Sequence, residues 1–347
     1  MAKPLPICAD LIDCNYAVAG HDGTLSDVDG ELFIKPCTDT EIAFYNDSIA
    51  YHQDFYDFMP TFLGTLQLDE NQNKTIEEKG AELIAQHSKP EISYPGRTNG
   101  KRLVTNQAVV LENASHGFVK PNILDVKLGV RLWADDAHHE KKKRFDKVTE
   151  QTTHKDFGFR IAGMRVWQGP NAKGDDIDEE GYRIYNKDYG RFELNKLNVH
   201  EAFKNFLFTD SAGIDNELGQ LISQAFLTDL RRIQDALEGQ ESRMYSASLL
   251  FVFEGDGKAL RAAMEEASRT PPPATTEHAS SSSGETQSSF GDEEDEDDME
   301  EESFPKIYSL KVIDFAHAQW TPGLGPDENS LVGVRSVGKI LEKLVES

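Results

Sequence analysis

Residues 121–129, which read PNILDVKLG, constrain the fold and chemistry of this chain more than any other stretch. Apolar and charged residues alternate through its centre, a pattern that predicts a β-strand. Asp125 and Lys127 then share one strand face, and Gly129 lets the backbone turn sharply after them. A carboxylate and an ammonium at one point suit a phosphate, a hydroxyl and a metal ion that meet there. The same spacing also fits a surface ion pair on an edge strand, and both interpretations stay open.

The length and the charge of the chain limit its class. With 347 residues, it can bury a sizeable core in one large or two moderate lobes. Its formal net charge of −25 disfavours a protein whose main ligand is the nucleic-acid backbone, so we expect no direct nucleic-acid binding. Ten acidic residues lie in one run at 292–302 (DEEDEDDMEEE), which leaves about −15 for the rest.

The three cysteines, Cys8, Cys14 and Cys37, lie near the N-terminus without metal-ligand spacing. They indicate reduced thiols in an intracellular protein. The sequence shows neither a signal peptide nor an apolar run of transmembrane length, and we therefore expect a soluble protein.

Residues up to about 112 predict a small, strand-rich lobe. Glycines at 20–23 indicate a turn, and the following strand presents Lys35, an arrangement that suits nucleotide phosphates but is also common in structural hairpins. Residues 69–100 read as a polar excursion. The predicted elements are strands at 31–36, 59–68 and 102–112 and a helix at 40–51.

A cation-rich helix is predicted from Asp135 or Asp136 to about Thr149. It carries Lys141, Lys142, Lys143, Arg144 and Lys147. A solvated helix with one apolar edge explains this pattern, and so does a surface for an anionic substrate in an otherwise acidic chain.

The rest of the chain alternates strands and amphipathic helices up to about residue 256. Residues 256–304 are predicted to be disordered, because after a short Ala- and Glu-rich stretch their Pro, Ser and acidic residues offer little apolar surface to bury. A hairpin at 182–191 places Lys187 and Arg191 at its rim. The other predicted elements are a strand pair at 157–168, strands at 243–254 and 308–316, and helices at 199–208, 217–238 and 331–345.

Three motifs resemble those of the inositol polyphosphate kinases. PNILDVKLG fits the family signature PxxxDxKxG, residues 246–250 (SASLL) resemble its Ser-Ser-Leu-Leu motif, and residues 313–317 (IDFAH) resemble its metal-binding Ile-Asp-Phe. Ala247 departs from the pattern, because relatives often carry Ser there. The order of the motifs, the chain length and the late acidic tract resemble most closely the multikinase branch of fungi.

The resemblance implies a fold and a division of the chain. It implies a bilobal α/β (α+β) kinase fold, distantly related to protein kinases, with ATP in the cleft between the lobes. Residues 1–112 would form the N-lobe. Residues 113–347 would form the C-lobe, with the substrate-binding helix at about 135–150 and the disordered insert at about 256–304.

The resemblance also implies how ATP is held. Lys35 would contact the nucleotide phosphates and pair with Glu41, while Glu112 and Ala114 would bind adenine through their backbones and Asn113 would lie near the ribose. Asp125 would hold the nucleotide as much as take part in chemistry. Asp314 would bind Mg²⁺ across the ATP phosphates, with support from Ser248.

Lys127 would bridge the substrate and the transferred phosphoryl group, so that the implied catalytic residues are Lys127, Asp125 and Asp314. The inositol phosphate would be bound by a cationic wall. Its implied members are Lys127, Lys141, Lys143, Arg144, Lys147, Lys187, Arg191 and His317.

The activity that the resemblance implies is ATP- and Mg²⁺-dependent phosphorylation of inositol 1,4,5-trisphosphate to the tetrakis- and pentakisphosphate. A trisphosphate 3-kinase and a hexakisphosphate kinase are the alternatives within the family, and phosphoinositide headgroups are an additional substrate class. The tract at 292–302 leaves open a scaffold or transcriptional-cofactor role with a transcription-factor partner. We expect a monomer in nucleus and cytoplasm.

Overall fold

The structure is a computed structural model that describes residues 11–14, 18, 23–67, 105, 107–269 and 306–346. Several sequence predictions concern residues outside these ranges. They are Cys8, the turn at 20–22, the polar excursion at 69–100 and the Pro-, Ser- and acid-rich part of the insert at 270–304.

A first sheet of five antiparallel strands has the order β1-β2-β3-β5-β4. Its strands are β1 (Ile12–Asp13), β2 (Leu25–Ser26), β3 (Leu32–Pro36), β4 (Phe62–Gln67) and β5 (Gln107–Glu112). Helices α1 (Asp39–Tyr51) and α2 (Gln53–Tyr56) connect β3 to β4. The Thr38 hydroxyl accepts the Glu41 N–H and caps α1, so the helix begins directly after the strand that carries Lys35.

A second sheet of five antiparallel strands has the order β11-β10-β6-β7-β8. Its strands are β6 (Pro121–Leu128), β7 (Phe159–Trp167), β8 (Tyr182–Tyr185), β10 (Ser248–Glu254) and β11 (Tyr308–Ile313), and β9 (Ser242–Met244) pairs separately with β12 (Ala318–Trp320). The PNILDVKLG stretch is therefore the central strand. Because Asp125 is only 4% exposed, the interpretation as a surface ion pair on an edge strand is wrong. The division at residue 112 stays a prediction.

Helices connect or follow the strands of the second sheet. They are α3 (His139–Gln151), α4 (His154–Phe157), α5 (Val199–Leu207), α6 (Asn216–Gly239), α7 (Gly257–Arg269) and α8 (Glu328–Val345), with a π-helix at Tyr189–Glu193 and a 3₁₀ turn at Asp210–Ala212. Leu124 and Val126 of β6 lie in one core cluster with Phe226 of α6 and Val334 of α8. Burial of each such side chain contributes about 1.5–3 kcal/mol. Because strand side chains alternate, Asp125 and Lys127 lie on the opposite face.

The structure corrects three strand predictions. Residues 157–168 form one strand, β7, not a strand pair, and Gly163 lies inside it. A Cβ at Gly163 would lie 2.2 Å from the Val18 carbonyl oxygen, so this glycine permits a close backbone contact and not a turn. The predicted hairpin at 182–191 is β8 followed by the π-helix. The predicted strand at 243–254 is interrupted at Ser246, which has a φ of 64°.

Two helix predictions also change. Helix α3 begins at His139, later than the predicted Asp135 or Asp136. Helix α7 occupies the start of the segment predicted without order, because Leu260 and Ala263 share one buried face of it. In the part of the chain that the structure describes, no helix has both the length and the apolar character that a membrane span requires.

Four aromatic rings form a stack between the two sheets, which we call the aromatic column. His52 lies 3.5 Å from Trp320, Trp320 lies 5.0 Å from Phe44, and Phe44 lies 4.8 Å from Phe315, measured between ring centroids. The interplanar angles are 12°, 10° and 26°, so the rings are stacked. The column joins α1 to the residue directly after Asp314.

Candidate active site

A lysine and two carboxylates from distant parts of the chain meet between the sheets. The Lys35 ammonium donates hydrogen bonds to Glu41 Oε1 at 2.8 Å and to Asp314 Oδ1 at 2.7 Å. Glu41 is 1% exposed, and its Oε1 also accepts the Phe315 N–H at 3.2 Å. Burial alone lowers the pKa of Lys35, but the Asp314 and Glu41 carboxylates outweigh it and raise the pKa above its ordinary value. The lysine is therefore held charged.

Asp314 follows β11 in a left-handed conformation, with a φ of 71°. Only a few per cent of non-glycine residues adopt this region, and they concentrate at functional sites. Its carboxylate is 32% exposed and lies 3.5 Å from the Lys127 ammonium, measured from Oδ2 to Nζ. Asp314 thus joins Lys35 of the first sheet to Lys127 of the second.

The SASLL segment (residues 246–250), which leads into β10, holds Lys127 and Asp125 in place. Lys127 Nζ donates to the Ser246 carbonyl at 2.7 Å and approaches Ser248 Oγ at 3.4 Å, and Ser248 also bonds the Asp125 carboxylate. Burial raises the pKa of the Asp125 carboxyl, and the Lys127 ammonium opposes that rise. Asp125 Oδ1 has no hydrogen-bond partner among the described residues. Ser248 itself is fully buried, so the structure places it behind Asp125 and Lys127, and its part in metal binding stays a prediction.

An apolar surface lies next to these charges. Ile123, Ala114 and Val252 form a buried cluster, with Val18 and Phe118 packed against it. Ile123 is on the same strand face as Asp125, so a flat apolar group lying here would have its polar end at the carboxylate. This surface suits a nucleotide base.

The segment beside this surface is held by side-chain contacts. The Glu112 carboxylate accepts hydrogen bonds from Thr61 at 2.9 Å and from Lys306 at 3.2 Å. Asn113 donates to the Gly30 carbonyl and accepts both the N–H and the hydroxyl of Ser115. These contacts hold the Asn113 amide in a turn, and its place near the ribose stays a prediction.

The cations predicted to bind substrate lie at different depths. Lys141 Nζ is 3.1 Å from His317 Nε2, which brings α3 to the segment after Asp314. Lys143, Arg144 and Lys147 are exposed on α3. Lys187 and Arg191 are half-buried, on the segment that leads into the π-helix and on the π-helix itself.

Sequence reasoning missed Arg160. This residue lies on β7 directly opposite Lys127 and is 5% exposed. Every other residue of β7 except Arg165 is uncharged, and every residue of the strand is buried. An arginine in so apolar a run was a signal that the sequence already contained.

His154, at the start of α4, is fully buried beside these cations. Burial, with the Arg160 guanidinium nearby, lowers the pKa of His154 from 6.5 to about 3. Below pH 6.5 the unfolded chain therefore binds a proton that the folded chain does not. We expect the free energy of unfolding to fall by about 1.4 kcal/mol per pH unit from this group as the pH drops from 6.5 towards 3.

Urea unfolding at pH 7.0 and 5.0 measures this effect. Between pH 7.0 and pH 5.0, the free energy of unfolding of His154→Gln should fall by about 2 kcal/mol less than that of the wild type. The control His139→Gln, at an exposed position, should lose as much as the wild type. Equal losses in all three proteins would contradict the assignment to His154.

The carboxylates suit a divalent cation that arrives with a nucleotide. Among the residues described, no three carboxylate, imidazole or thiol side chains form a cluster that could hold a metal ion. Mg²⁺ in nucleotide sites takes one or two carboxylates and completes its shell from phosphates and water. The exposed Asp314 carboxylate and the unpartnered Oδ1 of Asp125 fit that ligand set. Lysines on two sides and a metal site between them suit phosphoryl transfer, which needs positioning and charge neutralisation.

Comparisons with known proteins show what the whole chain is similar to. The family model for inositol polyphosphate kinase matches residues 108–342. The chain is 33% identical to the inositol polyphosphate multikinase of Saccharomyces cerevisiae, over 94% of this chain and 97% of that protein. It is 32% identical to inositol hexakisphosphate kinase 1 of Homo sapiens, over 72% of this chain and 55% of that protein. The crystal structure of an S. cerevisiae inositol phosphate multikinase with ADP and Mn²⁺ is similar with a TM-score of 0.59 at 29% identity, covering 90% of this chain and 99% of that chain.

Proposed function

This chain belongs to the inositol polyphosphate kinase family, and on that premise we propose that it is a multikinase that phosphorylates inositol 1,4,5-trisphosphate and then the tetrakisphosphate. The observation that carries the proposal is the continuous set of contacts from Lys35 through Asp314 to Lys127. Lys127 lies on the same strand as Ile123 of the apolar surface. It also pairs across the sheet with Arg160, which lies near Arg191 of the π-helix.

The roles follow from position and charge. Lys35, fixed by Glu41, would bind the ATP phosphates. Asp314 would hold Mg²⁺, which neutralises phosphate charge when bound; the related structure with ADP and Mn²⁺ supports a nucleotide and a divalent ion. Lys127 would stabilise the charge that develops between donor and acceptor oxygens. Asp125 would orient the nucleotide with Ser248 behind it.

The acceptor would lie on the cationic side. His317 lies three residues after Asp314 and contacts Lys141, and these two side chains would flank the reacting hydroxyl. Arg191 and Lys187 would bind phosphates from the π-helix side. The exposed Lys143, Arg144 and Lys147 would attract the polyanion from solution.

Two other activities of the family remain as alternatives, those of a trisphosphate 3-kinase and of a hexakisphosphate kinase. The match along nearly the whole multikinase, against about half of the hexakisphosphate kinase, favours the multikinase.

The test is a kinase assay. Purified protein, ATP, Mg²⁺ and inositol 1,4,5-trisphosphate should give first a tetrakis- and then a pentakisphosphate on anion-exchange chromatography. A reaction that stops at the tetrakisphosphate would identify a 3-kinase, and pyrophosphate formation from the hexakisphosphate would identify the other alternative. No product from folded protein would refute the proposal. Position-resolved NMR of the products identifies the hydroxyls, and phosphoinositide vesicles test headgroups as substrates.

We also propose a second role for the acidic tract at 292–302, as a contact for a basic transcription-factor partner, with the protein acting as a monomer in nucleus and cytoplasm. The density of charge supports this role: ten carboxylates in one run attract a cationic surface strongly at low salt. Microscopy of the tagged protein and light scattering test the location and the monomer.

Deletion of residues 285–302 should leave the kinase rate unchanged and abolish capture of a basic DNA-binding partner. A variant with Asn and Gln in place of the acids keeps the length of the segment and should behave like the deletion. Retention of the partner by both variants would show that the tract is only a linker.

A further inference from the structure

Two arginines lie side by side at one edge of the site. Arg160 is on β7, and Arg191 is in the π-helix that follows β8. Gly190 allows this approach, because a Cβ there would lie 1.9 Å from the Ile161 carbonyl oxygen and 3.5 Å from Arg160 Cγ. Burial lowers the pKa of the Arg160 guanidinium, and the neighbouring charge of Arg191 lowers it further.

The described residues do not neutralise this pair of charges. Arg160 Nη1 donates to the Ile161 carbonyl at 3.1 Å. Within the described ranges, the Nε atoms of both Arg160 and Arg191 are buried without an acceptor, and neither side chain forms an ion pair with a carboxylate there. Asp125 is near enough to favour the charged form of Arg160, but its own bond is with Ser248.

Buried charge without a counter-ion is costly, and adjacent like charges add to that cost. The structure nevertheless keeps both arginines, with Arg160 only 5% exposed. Arginine presents its donors in a fork that matches the oxygens of one phosphate, and two forks together match a doubly charged group. A phosphate is therefore the ligand class that this pair fits.

The sheet places the pair relative to the reacting groups. Ser248 on β10, Lys127 on β6 and Arg160 on β7 occupy directly paired positions, and Ile313 on β11 pairs with Ser248. Asp314, directly after Ile313, and Arg160 thus stand at opposite ends of one row with Lys127 between them. Adjacent strands are about 4.8 Å apart, so three spacings make the row about 14 Å long. That length accommodates a transferred phosphoryl group at one end and a phosphorylated ring at the other.

We propose that Arg160 and Arg191 together bind one non-reacting phosphate of the inositol phosphate, on the side of Lys127 that faces away from Asp314. This assignment rests on the proposed function and adds to it a residue of the specificity site, Arg160. The bound phosphate supplies the missing counter-ion. It also fixes which way the ring presents its hydroxyls to the transferred group.

Steady-state kinetics of Arg160→Gln test the assignment. We expect KM for inositol 1,4,5-trisphosphate to rise about 10- to 100-fold, the effect of one charge-assisted contact, while KM for ATP stays within about twofold. The same measurement with inositol 1,4-, 1,5- and 4,5-bisphosphate identifies the phosphate, because each lacks a different one and the variant should not affect the substrate that lacks the bound phosphate. Arg160→Lys should restore part of the affinity.

Controls separate binding from folding. Arg183→Gln, at a neighbouring half-exposed arginine paired with Asp176, should leave the kinetics unchanged. If Arg160→Gln does not fold, Arg191→Gln, in the less buried partner, should show the same selective rise. A rise in KM for ATP, or an equal effect on the trisphosphate and all three bisphosphates, would overturn the assignment. A wild type that neither binds nor phosphorylates inositol phosphates would instead overturn the proposed function itself.

Discussion

Lys127→Ala should lower kcat for inositol phosphate phosphorylation by about 100- to 1,000-fold, the usual effect of removing a group that stabilises developing charge. The side chain is 21% exposed, and its contacts run to the Ser246 carbonyl, Ser248 and Asp314, all within the site. Because it packs against no core cluster, the free energy of unfolding should change by less than about 1 kcal/mol.

Single-turnover rates and urea unfolding of the same preparation measure both effects. Lys155→Ala is the matched control, since Lys155 pairs only with the surface residue Glu150 among the described contacts. The control should keep the wild-type rate. An unchanged rate in Lys127→Ala would remove this lysine from the mechanism, and a large loss of stability would make the rate uninterpretable as chemistry.

Asp314→Asn should lower kcat by a similar factor, but for a different physical reason. The substitution keeps the shape of the side chain but removes the charge that a divalent ion requires and one of the two carboxylates that hold Lys35. We expect kcat to fall about 100- to 1,000-fold and the metal concentration for half-maximal activity to rise by at least tenfold.

Titration of the rate with Mg²⁺ and with Mn²⁺, together with the shift of the melting temperature by ATP, measures this prediction. Asp235→Asn, at an exposed position of α6, is the control and should match the wild type. A normal metal dependence with a reduced rate would assign Asp314 to lysine positioning and not to the metal.

The fold class and the family were predictable because short motifs carry them. PNILDVKLG, the SASLL segment and IDFAH predicted a bilobal α/β kinase fold, and the family match and the similar structure confirm it. The alternation within residues 121–128 also predicted the strand that carries Asp125 and Lys127. A local sequence pattern is enough to predict a strand when one of its faces packs in the core and the other lines the site.

Long-range contacts explain what sequence reasoning missed. The strand pair predicted at 157–168 is one strand, and Gly163 within it closely contacts the Val18 carbonyl, which is distant in the chain. Arg160 stands out in the sequence as a charge in an apolar run, but only the strand register sets it opposite Lys127. Each case depends on a neighbour that no local window contains. The roles of the site residues stay predictions, which the variants described above test.

The aromatic column has a consequence for the control of the enzyme. In protein kinases the corresponding lysine–glutamate pair must be assembled by movement of a helix, which serves as an on–off device. Here α1 cannot swing outward without unstacking Phe44 from Phe315 and Trp320, so the aromatic column holds Glu41 of α1 beside Lys35. A helix movement that separates this pair would have to disrupt the aromatic column as well. The packing of the column thus ties the lysine–glutamate pair to the segment that carries Asp314.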